Sequence, residues 1–370
     1  MEKSERLERL DEILQQQGID LDEVGERGVS RVSFWQQGAK DSEDEYQIHD
    51  LAGIELRSNQ GWNPPEPRAE PVKVTPSRAK GKSVSGYEQN AILPDMQAGW
   101  ERHDDGYECD LVPIHDEQAI NTVLQAIKEN QPDRIIMNGD NLDFPELGSF
   151  GQEKRFEGLL QHTLNGVHEL MANIRANAPN AEIIWLEGNH EERLRREIGK
   201  HMMQLMGVRQ PKSQEPILSI PHMLQLDELD IQYIDGYPAN AYWINDQLKA
   251  IHGNTVNSSG STAARIASRE SVSVIFGHVH RREYASRRVE IAPGIGRTVV
   301  AASFGTLSRI DGGVSSFGSA VDDRGNSLPN VENWTQGFGW VYSNEDEQHI
   351  LPVEIDDNYS SVFNGKVYQG

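Results

Sequence analysis

Five short segments place Asp, Asn, Gln or His directly after a run of apolar residues. In chain order, Asp95-Met96-Gln97 follows Ala91-Ile92-Leu93 and Pro94, and Gly139-Asp140-Asn141-Leu142-Asp143 follows Ile135-Ile136-Met137. Gly188-Asn189-His190-Glu191 follows Glu182–Leu186, His252-Gly253 follows Leu248–Ile251, and Gly277-His278-Val279-His280 follows Val272–Phe276. Carboxylate, amide oxygen and imidazole are donors that divalent cations accept. Each segment alone has a plainer reading. Gly-Asp after a strand is usually a turn, and a lone strand-end histidine is usually a hydrogen-bonded structural residue. Five in order are hard to obtain by accident. Asp140 and Asp143 also put two carboxylates on one short loop, and burying such a pair requires a cation or several donors.

The apolar runs read as buried strands, and helical patterns separate the first of them. Ile120, Val123, Leu124 and Ile127 mark a helix over about 116–130 with Asp116 as its N-cap. Phe156, Leu159, Leu160, Val167, Leu170 and Ile174 mark a second, which Pro179 stops. A third runs from Glu191 to about Met206. Alternating strand and helix predicts right-handed parallel crossovers, with ligands bound outside the carboxyl ends of the strands. After residue 230 the apolar runs come closer together: Ile231–Ile234, Leu248–Ile251, Val272–Phe276 and Thr298–Ala302. That suits a second sheet packed on the first. Glu101 to Asp105 reads as a charged loop. Residues 306–335, rich in Gly, Ser, Asp and Asn, read as a long loop of the kind that often serves a site. Gly337–Tyr342 and His349–Ile355 read as a closing hairpin.

The ordered set resembles the calcineurin-like metallophosphoesterases over about residues 90–305. The family pattern is Asp-x-His, Gly-Asp-x-x-Asp/Asn, Gly-Asn-His-Asp/Glu, a His usually followed by Gly, and Gly-His-x-His. Pro113-Ile114-His115-Asp116-Glu117 and Asn333-Trp334 resemble the phage-encoded branch and, more distantly, the nuclease branch. The resemblance implies an α/β, four-layer sandwich of two mixed β-sheets flanked by helices. It implies a hydrolase of phosphoric esters holding two divalent metal ions. Asp95, His280 and Gln97 would hold one metal, and Asn189, His252 and His278 the other, with Asp140 as the bridge. His190 would act on the leaving oxygen. Asp143 or Glu191 would orient a neighbouring histidine. Gln97 stands where the family has a His, and its carbonyl oxygen favours Mn²⁺ or Mg²⁺ over Zn²⁺ or Fe. A second register starts the pattern at Asp110 with Val112 in the His position. The better buried strand before Asp95 favours the first register.

The chain has 370 residues, a net charge of −23 and one cysteine, Cys109. No intrachain disulfide can form, and a reducing compartment fits. The polar start and the absence of a long apolar run predict a cytoplasmic protein without a membrane span. Residues 1–58 read as a short polar helix (Leu7, Leu10, Leu14) and a small β module. Residues 59–87 read as a Pro-rich linker with a basic end, and 88–370 as the main domain. The acidic balance argues against a surface that coats nucleic acid broadly, but not against a local basic track. Arg193 and Arg281, beside the third and last motifs, are the candidates for substrate phosphate. Nucleic acid is therefore the expected substrate of a phosphodiesterase or nuclease. A phosphomonoesterase or protein phosphatase is the first alternative, although Phe144-Pro145 replaces the Arg-Gly of the protein phosphatases. A non-catalytic binding module on the same fold is the second, supported only by Gln97.

Overall fold

In the computed structural model the described residues are 29–40, 46–56, 86–104, 109–148, 154–257, 259–311, 314 and 332–370. The expected N-terminal helix and most of the Pro-rich stretch lie outside them. The chain divides into two compact units, Met1–Pro67 and Arg68–Gly370. In the first, strands β1 (Val29–Lys40) and β2 (Tyr46–Leu56) pair antiparallel.

The second unit is built on two mixed sheets. The first contains β3 (Glu88–Leu93), β6 (Arg134–Met137), β7 (Glu182–Leu186) and β8 (Ile231–Ile234), all parallel. The hairpin β14 (Gly337–Ser343) and β15 (Gln348–Glu354) joins antiparallel at the β3 edge. The second has the order β12 (Arg282–Ala292), β13 (Ile295–Phe304), β11 (Ser273–Phe276), β10 (Leu248–Ile251), β9 (Tyr242–Asn245), with the pairs β10–β11 and β11–β13 parallel. Two further hairpins, β4 (Trp100–Asp104) with β5 (Cys109–Pro113) and β16 (Ser360–Phe363) with β17 (Lys366–Gln369), lie outside these sheets.

Side-chain alternation explains the layers. Along β6, Ile136 points one way and Ile135 and Met137 the other; along β7, Ile184 and Leu186 oppose Ile183 and Trp185. Ile92, Ile136, Ile184 and Leu186 meet Leu248, Ala250, Ile275, Ala302 and Phe304 of the second sheet. Ala91, Leu93, Ile135, Met137, Ile183 and Trp185 instead pack under helices α1 (Glu117–Asn130) and α2 (Leu160–Asn177). Helices α3 (Asn189–His201) and α4 (Ile220–Met223) follow on from β7. Helix α5 (Thr262–Arg269) covers the outer face of the second sheet through Ala263 and Ala267 against Val274, Phe276 and Ala301. The strands read as continuous apolar runs because both faces are covered. Each buried Ile or Leu contributes about 1.5–3 kcal/mol. Among the described residues, no helix is long and apolar enough to cross a membrane.

Several expectations are corrected. Ile231–Ile234 extends the first sheet beside β7, not the second, because a four-residue apolar run carries no information about its partner. Glu101 to Asp104 lies in a strand, with its charges on a hairpin outside the main sheets. The third helix ends at His201 and begins at Asn189, so three motif residues, Asn189, His190 and Glu191, lie within its first turn.

Asp116 ties the helix layer to the C-terminal segment. Its carboxylate caps α1 by accepting the Ala119 N–H at 3.0 Å and accepts Gln336 Nε2 at 2.7 Å. Asp116→Ala should therefore lose a cap and leave a buried amide short of a partner, about 2 kcal/mol or more in urea unfolding. Replacing exposed Glu117 by Ala should cost well under 1 kcal/mol. Equal midpoints for the two variants would contradict this role.

Candidate metal centre

The five motif loops leave the carboxyl ends of β3, β6, β7, β10 and β11, and the packed sheets bring them to one place. Their backbone is tightly constrained. Asp95, Gln97, Asp140, His278 and His280 all have positive φ, between 28° and 69°. For residues with a Cβ such angles cost on the order of 1 kcal/mol each and persist where the surroundings over-determine them. Gly139 has φ of 89°, and a Cβ there would lie 2.5 Å from the His252 ring. A Cβ on Gly188 would lie 2.2 Å from Asp140 Oδ1. These two glycines are what allow the loops to close on the same carboxylate.

Two groups of potential ligands share Asp140. Asp140, His252 and His278 form one, and Asp95, Asp140 and His280 the other, with the ligand atoms of each within 4.8 Å of one another. His252 Nε2 lies 3.2 Å from Asp140 Oδ2 and 3.0 Å from Asn189 Oδ1. Its Nδ1 faces the Asn138 carbonyl at 2.9 Å, which leaves Nε2 for a cation. His280 Nε2 lies 3.3 Å from Asp95 Oδ1, and Asp95 accepts the His278 N–H at 3.0 Å. Gln97 is fully buried, and its N–H donates to the Asp140 carbonyl at 2.8 Å. Asp110, the alternative start of the pattern, is exposed on β5, away from this cluster. The structure thus gathers Asp95 with the later motifs.

The electrostatics fit a cation. Asp140 is buried, which works against its charge, yet His190, His252 and His278 hold its carboxyl well below the usual range. Burial lowers the His252 pKa, but Asp140 and Asp95 outweigh it and push it up to about 10. Burial and the charge of His252 push His278 down to about 4. Without metal, the carboxylates thus draw a proton onto His252. A divalent ion held by the same oxygen and nitrogen donors serves the same purpose with more charge.

His190 belongs to neither ligand group but touches Asp140. Its N–H donates to Asp140 Oδ1 at 2.9 Å, and its Nδ1 lies 2.9 Å from Asp143 Oδ1 and 2.8 Å from Asp143 O. Its Nε2 is 3.0 Å from Arg193 Nη2, and Arg193 Nη1 donates to the Asp143 carbonyl at 2.6 Å. Burial lowers the His190 pKa, but Asp140 and Asp143 outweigh it and leave it above the ordinary value. Arg281 is placed differently. It is 7 % exposed, pairs with Glu283 at 2.8 Å and donates to the Asn257 carbonyl at 2.6 Å.

Glu191 does not orient a histidine as Asp143 does. It accepts the backbone N–H groups of Asp140, Asn141, Leu142 and Gly188 at 2.7–3.2 Å, with Trp185 Nε1 at 3.3 Å. One side chain thus fastens the second motif to the third. Three further neighbours are given no role by the sequence. Tyr237 packs against His252, Trp334 against His280, and Thr306 Oγ1 donates to the Asp95 carbonyl at 2.8 Å. Tyr237 and Thr306 come from unpatterned loops, and Asn333-Trp334 is only a mark of resemblance, so proximity alone identifies what they touch.

Two outcomes follow. Glu191→Gln puts an NH₂ where N–H groups already point, so it should lower stability by about 2–4 kcal/mol and reduce metal content together. Normal metal content in that variant would contradict the fastening role. Because His252 is protonated below about pH 10 in the metal-free protein, loading Mn²⁺ must expel that proton. Affinity measured by calorimetry should rise about tenfold per pH unit between pH 7 and 9, and a flat profile would contradict the assignment.

A family model, that of calcineurin-like phosphoesterases, matches residues 110–282, a stretch that spans the loops of Asp140, Asn189, His252, His278 and His280. Among curated proteins, none matches the chain. Members of this family hydrolyse phosphoric esters at a binuclear metal centre, and the two ligand groups joined at Asp140 are candidates for such a centre. Residues 110–282, then, are similar to the calcineurin-like phosphoesterase domain.

Proposed function

We propose that the protein is a metal-dependent phosphodiesterase that cleaves nucleic acid. The observation that carries the metal-dependent reading is Asp140, a buried carboxylate shared by two ligand groups. Asp95, Asp140, His280 and Gln97 would hold one ion, and Asp140, Asn189, His252 and His278 the other. Gln97 offers an oxygen where imidazole would favour Zn²⁺ or Fe, which supports Mn²⁺ or Mg²⁺. Bound there, the two ions supply an activated water and neutralise phosphoryl charge.

The remaining steps belong to the chain's own side chains. Asp143 fixes His190 Nδ1, and Nε2, which lies against Arg193 Nη2, is the ring nitrogen that would face substrate. The raised pKa leaves that nitrogen able to give a proton to the leaving oxygen. Arg193 Nη2 sits beside it, so a phosphate oxygen placed there meets a guanidinium as well.

A diester in nucleic acid is favoured over a phosphoprotein because Phe144-Pro145 follows Asp143 where the protein phosphatases have Arg-Gly, and Arg193 is the guanidinium placed beside His190. Many other arginines are committed: Arg195 to Glu187, Arg196 to Glu192, Arg282 to Glu354. A cytoplasmic location, read from the single cysteine, belongs to the same proposal.

His190→Ala should reduce Mn²⁺-dependent hydrolysis of bis-p-nitrophenyl phosphate by roughly 10²–10⁴-fold while elemental analysis finds the same metal content. A wild-type rate in the variant would remove His190 from that role. If Mn²⁺-loaded protein cleaves monoesters but neither the diester nor DNA, the phosphodiesterase proposal fails.

A further inference from the structure

Two half-buried aromatic rings stand beside the imidazoles of the centre, and the reaction as proposed gives neither a role. Tyr237 meets His252 with ring centroids 5.8 Å apart and planes at 60°. Trp334 meets His280 at 4.1 Å and 74°. His252 and His280 belong to different ligand groups, so each half of the centre has its own aromatic neighbour.

Both rings are carried on fixed backbone. Glu187, 4 % exposed, accepts the N–H groups of Gly236 and Tyr237 at 2.8 and 2.9 Å. The carbonyl of His280 accepts the Thr335 N–H at 2.9 Å, and Thr335 Oγ1 accepts the Arg282 N–H at 2.8 Å. The same oxygen of Glu187 meets Arg195 at 3.2 Å, so the backbone that carries Tyr237 is tied to the helix after the third motif. A ring that only braced an imidazole could be fully covered, as Trp185 and Trp340 are in the core. Tyr237 and Trp334 instead keep part of their surface at the solvent edge.

A phosphodiester of nucleic acid has one nucleoside on each side of the phosphorus. We infer that Tyr237 and Trp334 are stacking platforms for the two bases that flank the scissile phosphate, and that the substrate presents those bases unpaired. In a duplex both faces of each base are already covered by its neighbours. In a single strand or at a frayed end the faces are available, and an aromatic ring takes any base without reading its edge. This rests on the phosphodiesterase reading for its substrate class. It adds that bases as well as phosphate are bound, and that strand state is what the site distinguishes.

The test measures binding by the full-length protein stripped of metal with EDTA, so that nothing is turned over. Fluorescence anisotropy compares a labelled single-stranded hexathymidylate with an abasic hexamer of the same backbone. The base-bearing strand should bind roughly 5- to 100-fold more tightly. Trp334→Ala and Tyr237→Leu should each shrink that ratio while leaving the abasic strand's affinity unchanged, and Trp334→Phe and Tyr237→Phe should retain most of it. Equal binding of the two strands by the wild-type protein overturns the inference, whatever the variants do. Variants that weaken both strands equally, as a purely bracing role would, also overturn it. Hydrolysis of bis-p-nitrophenyl phosphate by the same preparation reloaded with Mn²⁺ separates the two claims. Diester cleavage without a base preference removes only the platforms, and a base preference without diester cleavage removes only the phosphodiesterase.

Discussion

A carboxylate sealed from water has to be answered by positive charge or by hydrogen-bond donors, and Asp140 is answered mainly by charge. It is 1 % exposed and lies within reach of His190, His252 and, through backbone, His190 N–H. The centre is arranged around that requirement. His252 answers it with a proton in the metal-free state, and the two ligand groups are shaped to answer it with cations. A second buried carboxylate, Glu191, sits close by and is satisfied differently, by four backbone N–H groups and an indole. One buried acid serves charge and the other serves shape. Removing the charge of either exposes the desolvation of what it faces.

The sheets make this arrangement rigid enough to last. Five positive-φ residues bearing side chains, gathered in one place, would relax if their loops were loose. Each loop begins where a strand buried on both faces ends. The strands are locked by the interface of Ile92, Ile136 and Ile184 with Ala250, Ile275 and Ala302. The site is therefore where packing energy in the core is converted into precise placement of polar atoms at the rim.

Charge is handled locally. The chain carries a net −23, and many of its arginines near the motifs pair with carboxylates, as Arg195 does with Glu187, Arg196 with Glu192, Arg281 with Glu283 and Arg282 with Glu354. Arg193 differs because the acceptors of its guanidinium are loop carbonyls and the neighbouring imidazole, so its charge is not cancelled by a carboxylate.

Much was legible in the sequence because ligand chemistry and strand chemistry both act locally. Apolar runs ending in Gly-Asp, Gly-Asn-His or Gly-His-x-His announce a buried strand and a turn that carries donors, so Asp95, Asp140, Asn189, His190, His252, His278 and His280 could be named from spacing and resemblance. The helix cap at Asp116 and the closing hairpin were equally local. The sheet to which Ile231–Ile234 belongs was not, since strand partners are chosen across long sequence separations. The same holds for the start of the pattern: Asp95 and Asp110 look alike in sequence, and only the fold sets one in the cluster and leaves the other exposed on a hairpin. The fates of Arg193 and Arg281, one against His190 and the other paired with Glu283, were also decided in three dimensions. So were the positions of Tyr237, Trp334 and Thr306 and the use of Glu191 as a backbone clasp. A residue's type fixes what it can bind; what it does bind depends on which distant segment the packed sheets bring within about 3 Å.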